Sequence, residues 1–229
     1  MSTEEMTKEE EMFVMLNAIL DSIGVCVKNL LIFSLIPFIW WLITSRKKEN
    51  FFTWLGFQKP RLQVKWWGCA VFAIAYVILY NFDGEFLLSA KTLEVLNSGD
   101  TAIAANTYAS LGVAAVIPVF LTTFIGNGLA EEILFRGFFC KRFVNKTGVI
   151  SGVLIQAFLF GAMHLALIAL SGLGVGIDFY IYEFVYTFAG ALMLALANEK
   201  IFNGSLWPSV FLHGLGNFIS TMAPILGWW

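Results

Sequence analysis

VISGVLIQAFLFGAMHLALIAL, residues 149–170, decides the architecture. It contains no Asp, Glu, Lys or Arg, and about 20 apolar residues are what a helix needs to cross ~30 Å of hydrocarbon. Further apolar blocks recur at 29–44, 66–82, 101–125, 179–197 and 206–226. With 59% of residues hydrophobic and 13% charged, the chain reads as an integral membrane protein. A bilayer offers no water to unpaired N–H and C=O groups, so each crossing segment must satisfy its own backbone. The expected fold is therefore all-α: a polytopic transmembrane helical bundle of six to eight helices. Residues 29–229 form the single transmembrane domain, preceded in 1–28 by a polar segment and a candidate amphipathic helix.

The flanking charges set the expected topology. The opening MSTEEMTKEEEM is acidic, unlike the basic start of a cleavable signal peptide, so the first apolar block is expected to be retained. Residues 13–28 carry Asp21 and Lys28 and read as an interfacial helix leading into a span at 29–44. The segment 45–65 sets Arg46, Lys47, Lys48, Lys59, Arg61 and Lys65 against Glu49, the pattern of a cytoplasmic loop. Residues 83–100 are acidic and read as external, and Pro118 is a candidate kink in the span 101–125. Residues 126–145 conflict with this scheme. Strict alternation puts Lys141, Arg142 and Lys146 outside, so the segment either crosses against the positive-inside rule or dips in and returns. No internal repeat is visible. The net charge of −2 argues against a nucleic-acid partner. Cys26, Cys69 and Cys140 form no C-x-x-C pair and read as core thiols.

Within this apolar chain a few polar groups stand where burial is costly, which makes them candidates for chemistry. They are Glu131, Glu132 and Arg136 in AEEILFRG, His164 in FGAMH, and His213 with Asn217 in HGLGN; no other histidine is present in the sequence. All fall within 126–226, which places an active site inside the bundle. Adjacent residues on a helix point about 100° apart, whereas positions four apart share a face. Glu132 and Arg136 can thus pair, leaving Glu131 without a local cation as the carboxylate free to accept a proton. His213 and Asn217 share one face of the last helix, suited to donating hydrogen bonds to an oxyanion. Each piece also has a plainer reading, as a satisfied core histidine, a structural ion pair or an interhelical amide bridge. Spacing by itself does not decide between them.

Read in order, E-E-x-x-x-R (Glu131, Glu132, Arg136), F-x-x-x-H (Phe160, His164) and H-x-x-x-N (His213, Asn217) resemble the type II CAAX prenyl proteases. These sit in the wider CAAX protease and bacteriocin-processing (abortive infection) family of intramembrane proteases. The resemblance runs from roughly residue 114 onward. Gly126-Asn127-Gly128 depart from the smaller apolar residues expected before the glutamates, which bears on where that helix starts. The resemblance implies an intramembrane endopeptidase: Glu131 with His164 activates water, His213 and Asn217 hold the oxyanion, and Glu132 and Arg136 shape the site. The implied partner is a membrane-associated peptide or protein, either a prenylated CAAX-type protein or a bacteriocin or signal peptide.

Several alternatives remain at this level. The family is conventionally grouped with metalloendopeptidases, and Glu131, His164 and His213 would make a zinc set. That use consumes Glu131 and leaves the arginine-paired Glu132 as base, and the chain has no H-E-x-x-H motif. Direct activation of water by glutamate, with no cofactor required, is therefore preferred. Cys140, one turn beyond Arg136, is a weaker candidate nucleophile. Outside catalysis, the chain could be a non-catalytic membrane scaffold, a bacteriocin self-immunity protein or a transporter. Glu183, among Tyr180, Tyr182 and Tyr186, would serve a transporter as a relay or else bond to a neighbouring tyrosine.

Overall fold

A computed structural model describes residues 7–80, 82, 84–98 and 107–228. Eight helices are described: α1 (Lys8–Thr44), α2 (Phe51–Leu55), α3 (Trp66–Tyr80), α4 (Ala90–Asn97), α5 (Ala109–Thr147), α6 (Val149–Ser171), α7 (Ile177–Ile201) and α8 (Trp207–Ile225). No strand is present among the described residues. The architecture is an all-α membrane bundle. By length and composition α1, α5, α6 and α7 can cross a membrane. The shorter α3 is also apolar, and α8 carries the polar face with His213 and Asn217.

Two expected boundaries do not exist. Residues 13–28 and 29–44 are one unbroken helix opened by a capping box, in which Thr7 accepts from the Glu10 amide and Glu10 reaches back to Thr7. At 1.5 Å per residue its 37 residues extend roughly 55 Å, beyond what hydrocarbon alone requires. Asp21 and Lys28 are exposed on it rather than marking a separate interfacial element. Residues 107–125 and 126–145 likewise join in α5; the start of the expected 101–125 span lies outside the described residues. Helicity breaks at Gly112 (φ 50°, ψ −126°), a conformation glycine tolerates. Pro118 falls in the first turn of the α-helical stretch Val116–Phe120, where its missing N–H costs little. Gly126, Asn127 and Gly128 thus lie inside the helix and do not start it.

This continuity removes the conflict over charge. α5 runs alongside and parallel to α1, as the contacts Cys26–Leu121, Asn29–Asn127 and Trp40–Phe138 record. Its basic terminus therefore meets the 45–65 segment at one end of the bundle. There Arg142 stacks on Trp54 at 3.9 Å and donates from Nη2 to the Trp54 carbonyl. Lys141 Nζ donates to Glu199 and to the Gly204 carbonyl, tying α5 to the α7–α8 turn. The Glu9–Glu11 run lies at the opposite end, where the start of α1 packs beside Ser110 and Leu111.

Close approach of helices sets the centre. A Cβ on Gly128 would lie 3.2 Å from the Gly214 backbone, so α5 and α8 cross nearly backbone to backbone. Gly161 of α6 similarly faces the Phe184 carbonyl of α7 at 3.3 Å, and Tyr80 of α3 lies over Gly216 of α8. Small residues permit such contacts in membrane bundles.

Candidate active site

Glu131 and Glu132 lie on one short α-helical turn between two π-helical stretches of α5, Leu121–Leu129 and Ile133–Cys140. π turns widen a helix locally and are frequent at functional sites. The adjacent carboxylates meet different surroundings, as the 100° offset requires. Glu132 is fully buried, with Oε1 2.9 Å from Arg136 Nη1 and 2.9 Å from His213 Nδ1. Glu131 is 14% exposed and opens on a cavity, with Oε2 3.7 Å from His213 Nε2.

That cavity has a volume of about 450 Å³. Glu131, His164, His213, Asn217 and Arg136 all line it, so the three motifs on α5, α6 and α8 converge. The Gly128–Gly214 crossing explains part of this convergence, because Gly214 follows His213 directly and Gly128 lies one turn before Glu131 and Glu132. Arg136 also stacks on Phe160, its guanidinium 4.4 Å from the ring centre. Phe160 in turn touches the rings of His164 and His213, at centroid distances of 4.5 and 6.0 Å.

The hydrogen bonds fix both imidazoles in the same sense. A carboxylate and a carbonyl only accept, so His213 Nδ1–H donates to Glu132 and His164 Nδ1–H donates to the Phe160 carbonyl at 3.0 Å. In each ring Nδ1 is engaged and Nε2 is left for chemistry. The 3.7 Å between His213 Nε2 and Glu131 Oε2 exceeds a direct hydrogen bond. One reacting oxygen in the cavity can touch both atoms.

The donor set was also tested as a metal centre. Among the described residues no three His, Cys, Asp or Glu side chains are arranged to hold a metal ion. Glu131, His164 and His213 share the cavity without converging as three ligands, while the Nδ1 hydrogen bonds of both imidazoles leave Nε2 open. As placed, the three side chains do not form a ready-made zinc set. Cys140 lies away from this chamber, buried with Val153 and Ala195 in the α5–α6–α7 core.

The sequence reading missed some of the cavity wall. Asn127 lies one turn before Glu131, lines the cavity and accepts at Oδ1 from Asn29 Nδ2; its i−4 spacing from Glu131 was the available signal. Tyr80 and Thr123 carried none, since only the fold brings α3 and the first half of α5 to the site. Glu183 lines the same cavity with Tyr182 and Tyr186.

Comparison with known families finds one match. Residues 113–219 match the sequence model of the family described as type II CAAX prenyl endopeptidase Rce1-like. The chain carries an Rce1-like segment. It spans α5 from just past the Gly112 break, all of α6 and α7, and α8 through Asn217, so every motif residue lies inside it. No curated protein and no solved structure matches the chain. The Rce1-like segment excludes α1 to α4, yet Tyr80 of α3 still closes one wall of the cavity.

Proposed function

We propose that this chain is an intramembrane endopeptidase that cleaves a membrane-associated peptide or protein by glutamate-activated water. The observation that carries the reading is the division of labour between adjacent carboxylates. Glu132 is consumed by Arg136 and His213, while Glu131 faces the cavity beside an imidazole Nε2. Glu131, assisted by His164, takes a proton from water as the oxygen attacks the scissile carbonyl carbon. Charge gathers on the carbonyl oxygen, which accepts from Asn217 Nδ2–H and from His213 Nε2–H when that ring carries both protons. The intermediate collapses as the C–N bond breaks, and the proton held by Glu131 passes to the departing nitrogen.

The matched family model supports a prenylated CAAX-type protein as the substrate class; a bacteriocin or signal peptide is the alternative class. Glu131 and His164 lie on helices long and apolar enough to cross a membrane, which supports chemistry at membrane depth. The basic end formed by residues 45–65 and the close of α5 is assigned to the cytoplasm, following the positive-inside rule. The test is cleavage by protein reconstituted in liposomes, offered a farnesylated CAAX peptide and a panel of membrane-peptide substrates. Activity on one of them that disappears in Glu131→Ala and His164→Ala supports the assignment. Cleavage that persists in both, or a cellular phenotype that both variants rescue fully, overturns it in favour of a non-catalytic scaffold.

A further inference from the structure

The basic end of the bundle is more ordered than a loop of positive residues needs to be. Arg46, Lys47 and Lys48 follow the C-terminus of α1, and Lys59, Arg61 and Lys65 follow α2; all six are exposed, and none makes an ion pair among the described residues. The second group is held in place by its backbone. The Arg61 amide donates to Asn203 Oδ1 at 2.6 Å, and the Gln63 amide donates to the Ile201 carbonyl at 2.8 Å. Gln58 Nε2 donates to the Asn203 carbonyl, Ser205 Oγ donates back to the Gln58 carbonyl, and the Leu206 amide donates to the Gly56 carbonyl. The segment is thereby laced to the turn between α7 and α8. None of these bonds uses a basic side chain, so the charges remain free to face outward.

Aromatic rings set the depth of this end. Trp66 and Trp67 open α3, Trp207 opens α8, and all three are exposed beside the basic segment. Exposed tryptophans mark the headgroup level of a bilayer. The bases therefore stand where lipid phosphates stand. The protein's net charge is only −2, so the bases at this end are offset by acids elsewhere, including Glu9–Glu11 at the opposite end of α1.

We infer that this platform is a binding surface for anionic phospholipid headgroups, and that lipid bound there braces the α7–α8 turn and hence the start of α8. The chemistry recognised is a phosphodiester fixed in a membrane plane, met by several cations held at one depth. Each base near an anionic leaflet adds attraction that fades within a Debye length. The inference depends only on membrane insertion and charge placement; it does not depend on proteolysis.

Thermal unfolding in nanodiscs tests it without any substrate. Wild-type protein is compared in phosphatidylcholine discs and in discs with phosphatidylglycerol added, and against free inorganic phosphate in phosphatidylcholine discs. The expected result is a Tm several degrees higher with phosphatidylglycerol and no shift with phosphate. A variant with all six bases changed to Gln should lose most of that gain, while a variant exchanging Lys and Arg among the six should keep it. Should the Gln variant fail to fold, wild type at about 1 M KCl, where the Debye length is ~3 Å, should lose the gain instead. The proposal is overturned by a phosphatidylglycerol gain that the Gln variant or high salt leaves intact, by an equal gain from phosphate, or by no gain at all.

Discussion

His213 on α8 and Glu132 on α5, far apart in sequence, meet at 2.9 Å through Nδ1 and Oε1. The same carboxylate oxygen holds Arg136. One buried acid thus neutralises an arginine and aims an imidazole, and the two adjacent glutamates answer to different demands. Glu132 belongs to the fold as much as to the site; Glu131 belongs to the cavity.

Stability should separate them. Removing one partner of a buried ion pair strands the other, at a cost of about 3–5 kcal/mol. Glu132→Gln is therefore expected to lower the unfolding midpoint in detergent by many degrees and to reduce activity through misplacement of His213. Glu131→Gln is expected to leave the midpoint within a degree or two and to abolish cleavage. Equal thermal stability of the two variants would contradict this division.

The pairing of Glu132 with Arg136 was legible because it depends only on helical periodicity, which π turns on either side do not erase at these positions. The link from Glu132 to His213 was not legible, since no local rule brings α8 against α5. That contact depends on Gly128, which in sequence bears only on where its helix starts, and on Gly214, which carries no signal of its own. Helix boundaries failed for a related reason. Asp21 and Lys28 suggested an interface, and the basic residues after Cys140 suggested either a crossing against the positive-inside rule or a re-entrant segment, but α1 and α5 are longer than a membrane is thick and carry such charges beyond their apolar stretches.

Gly128→Ala tests the crossing. Its Cβ would sit 2.9 Å from the Thr123 carbonyl oxygen and 3.2 Å from the Gly214 backbone, atoms that cannot swing aside. Overpacking of this kind costs roughly 1–3 kcal/mol, and separating α5 from α8 should also weaken the Glu132–His213 bond. Gly24→Ala on α1 is the control, since nothing lies within 4 Å of its added Cβ. It should be neutral or slightly stabilising, because Ala favours helix over Gly by about 1 kcal/mol. Thermal melts of the two variants, with the cleavage assay beside them, give the comparison.

Thiol chemistry makes a separate prediction. Cys140 and Cys26 are buried, and Cys69 on α3 is half-exposed beside an apolar groove between α3 and α8. A small membrane-permeant maleimide should label Cys69 in the native protein and reach the other two only after denaturation, as read by mass spectrometry. Cys140→Ser should retain cleavage. Loss of activity in that variant without loss of stability would revive a nucleophilic role for this residue.

Phe160 is the residue whose replacement should disturb the site without touching a titratable group. Its ring faces the Arg136 guanidinium at 4.4 Å and contacts both imidazoles. Arg136 Nε, Nη1 and Nη2 make no hydrogen bond among the described residues, Nη1 meeting Glu132 only as an ion pair, so the ring face supplies part of the environment that offsets the burial of that charge. A desolvated cation–π contact is worth about 2 kcal/mol. Phe160→Leu keeps an apolar side chain but removes the quadrupole and the flat surface against which the histidines pack. Stability should fall by about that amount, and kcat should fall further than KM rises, because the groups that act on the transition state lose their alignment. Phe160→Tyr keeps the ring face and should retain most of both. If Leu and Tyr behave alike, Phe160 merely fills space and the alignment of His164 and His213 comes from their Nδ1 hydrogen bonds alone.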